Sequence, residues 1–205
     1  MWCRSRSSAR ERRALLRAVS GWLLLASCAA SPLAAASTEP GGLGPTLLPG
    51  AAPVGRGTLR FLSLAVYHAT LWAVPGWQPG QLGQAPLVLE LHYLRSFRGR
   101  DIAQRSLEEM RRAGPIDPTD EARWLAAMQR LFPDVADGDH IAGLWDPAHG
   151  ARFALARAGG VPQPLGELAE PRFAERFFGI WLAPTTSQPA LRAALLGLSG
   201  PTAAR

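Results

Sequence analysis

Alternating hydrophobic and polar residues predict β-strands in the first half of the folded part of the chain. Residues 58–72 are largely apolar and rich in aromatic and β-favouring residues, which predicts one long strand or two strands joined by a tight bend. Residues 86–97 alternate with a period of two, which predicts a strand with one face against a core. That face carries Leu87, Leu89, Leu91, Tyr93 and Arg95.

The next stretch changes to a helical period. Residues 100–112 predict a helix, and Asp117-Pro118 is typical of a helix start, with an acidic N-cap followed by proline. That second helix should end at Phe132-Pro133, because the residue before a proline disfavours helical geometry. Residues 140–145 and 151–157 then predict a β-hairpin, and residues 171–182 and 189–196 predict two closing helices. Strands, helices, a hairpin and helices in this order indicate an α+β fold.

Composition divides the chain into four parts. Residues 1–36 are a leader, residues 37–56 are a Gly/Pro/Ala-rich lead-in predicted to be flexible, residues 57–198 hold one folded domain, and residues 199–205 form a tail. The leader has six arginines against Glu11, so it contributes 6 − 1 = +5 of the net charge of +6. The nearly neutral remainder indicates no nucleic-acid partner.

The leader has the features of a secretory signal peptide. Its arginines precede a short apolar run at residues 18–26, and the small residues before Ser37 form an Ala-x-Ala cleavage site. This run is too short to span a membrane. Arg12-Arg13 resembles a twin-arginine export motif, while residues 25–28 (LASC) resemble a lipobox, which would place a lipid anchor at Cys28. The predicted location is the periplasm or the cell exterior, with no transmembrane segment in the mature chain.

The reactive and titratable residues predict no disulfide, no metal site and no cofactor. Both cysteines, Cys3 and Cys28, lie in the leader, so a mature chain beginning at Ser37 has no thiol. The four histidines are scattered without a ligand spacing, and the acidic loop at residues 134–139 lacks the EF-hand pattern, which favours a solvated turn. No nucleophile elbow or phosphate-binding loop occurs in the sequence.

Arg95 continues the apolar face of its predicted strand, and three interpretations of it stay open. It could pair with an acid on a covering helix, such as Glu108 or Glu109, since an unpaired buried charge costs several kcal/mol. It could be exposed where the strand ends. It could also bind an anionic ligand, with Tyr93 nearby.

Several motifs, taken in order, resemble the chalcone isomerase superfamily and its exported bacterial chalcone isomerase-like members. They are an entry arginine at Arg56 or Arg60 followed by residues 61–67 (FLSLAVY), the strand at residues 89–95 (LELHYLR), residues 132–139, and residues 178–182 (FGIWL). The resemblance covers residues 57–197. It implies a large antiparallel sheet with helices layered on one face, an open-faced sandwich, and a ligand cleft between the two layers.

The same resemblance allows a test of catalytic activity. The plant enzyme's site uses an arginine on an early strand, a threonine after the Phe of the first motif, and a tyrosine and an asparagine near the helix after the second strand. Here Leu62 holds the threonine position, the tyrosines are Tyr67 and Tyr93 in predicted strands, and the chain has no asparagine. Losing even one donor to the oxyanion lowers the rate about 10²–10³-fold, so chalcone cyclisation is not expected. No residue is therefore predicted to be catalytic.

The family includes fatty-acid-binding members, and the leading hypothesis is therefore non-catalytic binding of a small hydrophobic acid. The residues expected at the head-group end of the cleft are Arg95, Tyr93, Arg60 and Tyr67. Two alternatives stay open, because a fold does not fix a function. One is an isomerase or intramolecular lyase with a rebuilt site, and the other is an envelope interaction protein whose cleft is filled by side chains.

Overall fold

The computed structural model describes residues 42–198. The chain divides into two units, Met1–Ser37 and Thr38–Arg205, and every described helix and strand lies in the second. The predicted signal peptide, Cys28 and the tail at residues 199–205 lie outside the described residues. Between residues 42 and 198, no helix has the length and hydrophobicity needed to cross a membrane.

Six antiparallel strands form a single sheet in which each strand pairs with its neighbour along the chain. The α+β fold with a large antiparallel sheet is therefore confirmed. Residues 58–72 form parts of two strands, and Leu62 and Ser63 make the tight bend between them. The strands are β1 (Ala52–Phe61), β2 (Leu64–Ala73), β3 (Leu87–Tyr93), β4 (His140–Asp146), β5 (Gly150–Ala156) and β6 (Gln163–Leu168).

Four of the five α-helices between residues 42 and 198 cover one face of the sheet, here called the inner face. The helix start at Asp117 is confirmed, since its Oδ1 accepts a hydrogen bond from the Thr119 N–H at 2.8 Å. Aromatic side chains of the fourth helix pack into the main core, with Phe173 and Phe178 fully buried. The helices are α1 (Leu43–Leu47), α2 (Gly99–Met110), α3 (Pro118–Leu131), α4 (Pro171–Leu182) and α5 (Pro189–Leu195).

The lead-in at residues 37–56 was predicted to be flexible, and for its described part this prediction is wrong. Helix α1 packs on the opposite, outer face of the sheet, where Leu43 is buried against Val88 and Leu144. A Cβ on Gly44 would come within 2.3 Å of the Trp72 ring. Glycine is therefore used here for close packing, which composition alone does not distinguish from flexibility.

Two strand predictions also differ from the structure. Strand β3 ends at Tyr93 and not at residue 97, because β4 begins only at His140, opposite His92. Strand β6 was missed because its sequence contains Pro164 and Gly166, residue types that are depleted in strands. An edge strand tolerates proline, since one side of the strand has no neighbour to accept its N–H.

Candidate ligand-binding cleft

A cleft of about 490 Å³ lies between the inner face of the sheet and the helix layer. Its volume falls within the range of small-molecule sites, about 300–1,000 Å³. Strands β1 to β5 contribute one wall, and helices α2 and α4 contribute the other. The apolar lining includes Leu89, Leu91, Ile141, Phe153, Ile102, Phe177, Phe178 and Trp181.

Local sequence features give this wall its shape. The alternation of β3 points Leu89, Leu91 and Tyr93 toward the inner face, as predicted. Gly143 is needed on β4, because a Cβ there would lie 2.9 Å from the Phe153 ring and 3.0 Å from the Phe178 ring. Because glycine has no side chain, the Phe153 and Phe178 rings can lie against this part of β4, and both line the cleft.

Two tyrosines lie side by side in the cleft wall. Tyr67 on β2 and Tyr93 on β3 are paired across the ladder, with ring centroids 6.0 Å apart. The Trp181 Nε1–H donates to the Tyr67 hydroxyl oxygen at 2.8 Å, whereas the Tyr93 hydroxyl has no hydrogen-bond partner among residues 42–198. Burial raises the pKa of Tyr67 to about 12, although the Trp181 hydrogen bond lowers it, and burial also raises the pKa of Tyr93. Both hydroxyls therefore stay protonated at neutral pH and can donate hydrogen bonds to a ligand.

Two arginines line the cleft, and their surroundings differ. The Arg60 guanidinium donates to the Ser63 carbonyl at 3.4 Å and has no carboxylate partner among the described residues. Arg105, on α2, forms salt bridges with Glu108 and Glu109. Arg60 is therefore the cleft cation whose charge is least compensated within the described part of the chain.

Arg95 does not line the cleft, which corrects the prediction that it shares the core-facing side of its strand. The strand ends at Tyr93, so the alternation of side chains does not extend to position 95. The Arg95 side chain is exposed, and its Nε–H donates to the Ala65 carbonyl at 3.0 Å. The alternative pairing with Glu108 or Glu109 is absent from the described contacts, and exposure at a strand end is the interpretation that agrees with the structure. Of the four candidates, the structure brings Arg60, Tyr67 and Tyr93 together and leaves Arg95 outside.

Sequence reasoning missed the charged pair Arg105 and Glu109 in the cleft lining. Their spacing of four residues on α2 was an available signal. The second contact of Glu109, with Arg112 three residues further along at 3.6 Å, is also local, and only the burial of Glu109 depends on how α2 packs. The two arginines compensate the charge that this carboxylate brings to the cleft.

The outer face has a row of histidines that the sequence analysis did not predict. His68, His92 and His140 lie opposite one another on β2, β3 and β4, and the rings of His92 and His140 stack with centroids 4.2 Å apart. Beside them, the buried Glu90 accepts hydrogen bonds from His140 Nδ1 and from Trp72 Nε1, both at 2.9 Å. Within the described part of the chain, no group of three or more His, Cys, Asp or Glu side chains is placed to hold a metal ion.

The position that corresponds to the plant enzyme's threonine is not in the cleft. Leu62 lies at the tip of the β1–β2 hairpin, with 81% of its surface exposed. The tyrosines of the cleft belong to strands and not to α2. The arrangement therefore differs from the one that the resemblance assigns to the enzyme.

No family model matches the chain. An uncharacterized protein of Haemophilus influenzae is 28% identical over 145 residues, which cover 71% of this chain and 67% of that protein. Among solved structures, the crystal structure of a fatty-acid binding protein of Arabidopsis thaliana is similar with a TM-score of 0.52 at 13% sequence identity. The match covers 72% of this chain and 87% of that one. The likeness shows a chalcone isomerase-like fold, as the sequence motifs indicated.

Proposed function

We propose that this protein binds a small hydrophobic acid, such as a fatty acid, in the cleft between sheet and helices, without catalysing a reaction on it. The observation that supports this function is the combination of an apolar cleft of about 490 Å³ with Tyr67, Tyr93 and Arg60 in its lining. Ligand sites typically combine a mostly apolar wall with a few polar groups that orient the ligand. The fatty-acid binding protein from Arabidopsis thaliana, which has the same fold, is consistent with this class of ligand.

The head group of the acid would be held by hydrogen-bond donors. The two tyrosine hydroxyls supply neutral donors, and Arg60 supplies a positive charge that no carboxylate within residues 42–198 neutralises. A charge-assisted hydrogen bond contributes about 1.5–3 kcal/mol. Glu109 lines the same cleft, but its salt bridges to Arg105 and Arg112 reduce its repulsion of a ligand carboxylate.

The tail of the acid would lie against the aromatic and aliphatic wall. Each buried methylene contributes about 0.8 kcal/mol, so affinity should rise with chain length until the cleft is full. Phe153 and Phe177, whose ring centroids are 5.3 Å apart, form part of this wall.

The chemistry of the lining favours binding over proton transfer. A general base works best when its pKa is near the operating pH, and a tyrosine with a pKa of about 12 stays protonated. No histidine or cysteine is among the described residues that line the cleft. Both carboxylates in the lining are engaged by arginines, Glu109 by Arg105 and Arg112 and Asp101 by Arg100. The isomerase alternative therefore has no observation that favours it.

The proposal includes export to the periplasm, which the features of the leader support. Expression of the full gene in a Gram-negative host should give a product that starts at Ser37, or at a lipidated Cys28, in the periplasm or the envelope. Intact-mass measurement distinguishes these two products. A cytoplasmic, full-length product would contradict the targeting argument.

Ligand binding is tested directly with an acid and its neutral analogue. A chain that starts at Ser37 contains the whole second unit and is titrated with hexadecanoate and with hexadecanol. Hexadecanoate should bind at least about tenfold more tightly, because only it can use a charge-assisted contact. Equal affinities would contradict head-group recognition, and the absence of binding by either would contradict the proposed use of the cleft.

A further inference from the structure

The tip of the β1–β2 hairpin, defined here as residues 61–64, exposes an unusual amount of apolar surface. Residues 42–198 contain six large hydrophobic side chains that are exposed, and three of them are in this stretch of four residues. Phe61 is 67% exposed, Leu62 is 81% exposed and Leu64 is 51% exposed. Single exposed hydrophobic residues are common, but a cluster indicates an interaction surface.

The backbone at the tip supports a role for its side chains. Leu62 and Ser63 have φ values of 47° and 67°, in the left-handed region. A two-residue hairpin turn with this geometry favours asparagine and glycine, which adopt it readily. A leucine there is disfavoured, and its packing within the described residues offers no compensation because the side chain is exposed. Asparagine or glycine would stabilise this turn better than leucine does. The exposed leucine therefore indicates a function of the tip itself.

Positive charge lies beside this apolar surface. Arg60 donates to the Ser63 carbonyl and Arg95 donates to the Ala65 carbonyl, so both guanidinium groups are held next to the tip. Both side chains are exposed. An apolar tip with flanking arginines matches the chemistry of an anionic lipid surface, in which headgroups bind the cations and acyl chains accept the leucines.

We propose that residues 61–64 dock this protein on an anionic lipid bilayer, with Leu62 and Leu64 entering the acyl region and with Arg60 and Arg95 at the headgroups. Phe61 belongs both to the tip and to the lining of the cleft, so the docked tip connects the bilayer with the cleft. A hydrophobic acid could then pass between them without crossing water. This last step rests on the proposed function, whereas bilayer binding does not require a ligand in the cleft.

The test measures sedimentation of the chain that starts at Ser37 with vesicles of phosphatidylglycerol and phosphatidylcholine. Leu62→Asp should weaken vesicle binding about tenfold or more, because it replaces an inserted apolar group by a charge. Val161→Asp is the matched control, since Val161 is 76% exposed outside the tip, and it should leave binding unchanged. Arg95→Gln should weaken binding to the anionic vesicles about fivefold and have no effect on purely phosphatidylcholine vesicles.

A second variant separates docking from folding. Leu62→Asn suits the left-handed backbone, so it should keep or raise the melting temperature while it lowers vesicle binding. Affinity for hexadecanoate in solution should stay unchanged in both Leu62 variants, because Leu62 does not line the cleft. Wild-type vesicle binding by Leu62→Asp, or an equal loss in Val161→Asp, would overturn the proposal, whatever the outcome of the hexadecanoate titration.

Discussion

The two faces of the sheet both contain buried polar side chains, but they differ in how completely these are partnered. On the outer face, the Glu90 carboxylate accepts hydrogen bonds from His140 and Trp72. On the inner face, Tyr93 is equally buried, yet its hydroxyl has no partner among the described residues. Among residues 42–198 the fully buried side-chain polar atom without a partner is Trp77 Nε1, whereas Tyr93 lines the cleft, so its hydroxyl is available to a ligand.

Burial of a polar group alone therefore does not mark a functional site. Burial would raise the pKa of Glu90, but the hydrogen bonds and charge of His140, together with the Leu43 N–H and the Trp72 N–H, lower it below its usual value. Its partners therefore stabilise the charged form of Glu90. Glu90 is best understood as a structural residue, while the tyrosine pair belongs to the proposed binding site.

The largest expected effect is on the outer face. Glu90→Ala should lower the free energy of unfolding by about 3 kcal/mol, because it leaves the half-buried donors of Trp72 and His140 without an acceptor. The control Glu167→Ala, at an exposed position of the edge strand β6, should change it by less than about 0.5 kcal/mol. Chemical denaturation measures both values. If the Glu90→Ala protein is as stable as the control, this carboxylate has no structural role.

A smaller effect is expected on the inner face, and there it should fall on binding and not on stability. Tyr93→Phe removes a hydroxyl that has no described partner, so the free energy of unfolding should change by less than about 0.5 kcal/mol. Affinity for hexadecanoate should fall roughly 3- to 10-fold through the loss of one neutral hydrogen bond. If this substitution instead destabilises the protein and spares affinity, the distinction between the two faces fails.

The smallest effect is a pH dependence that arises on the outer face. Burial and the charges of His140 and His68 lower the pKa of His92, and Asp137 and Glu90 oppose this shift only in part. A histidine with a lowered pKa binds fewer protons when folded than when unfolded. The contribution of His92 to the free energy of unfolding is therefore fully present above the pKa of the unfolded state, about 6.5. It is lost as the pH falls through the pKa of the folded state.

His92→Gln removes this titration. When the pH is lowered from 7 to 5, the variant should lose less stability than the wild type. The difference between the two losses should be below about 1 kcal/mol. Melting temperatures at the two pH values measure the difference. Parallel pH profiles for the two proteins would show that His92 contributes nothing to the pH dependence.

Local signals account for what the sequence predicted correctly. Asp117-Pro118 marks the start of α3, and the period-two pattern marks β3. The failures involve information that is not local. The glycine-rich lead-in resembled a flexible segment because its contact with Trp72 cannot be inferred from composition. The position of Arg95 was misjudged because the end of β3 depends on where β4 begins.

The candidate site was predictable only in part. Arg60, Tyr67 and Tyr93 were named from a family resemblance, and the structure places all three in the lining of one cleft. Placing Arg105 and Glu109 in the cleft requires knowledge of how α2 packs. Placing the three histidines in one row requires the register of three strands. Strand register brings residues far apart in sequence into one row, and spacing along the chain cannot reveal it.

The central claim, that Arg60 binds the head group of an acid in the cleft, is tested most directly by comparing two arginine variants. Arg60 and Arg95 are both exposed, and each donates to a backbone carbonyl of the same hairpin, but only Arg60 lines the cleft. Isothermal titration of hexadecanoate in solution measures the affinity of each variant. Arg60→Gln should weaken binding roughly 10- to 150-fold, and Arg95→Gln should leave it unchanged. Equal affinities in the two variants, or a loss confined to Arg95→Gln, would contradict the account.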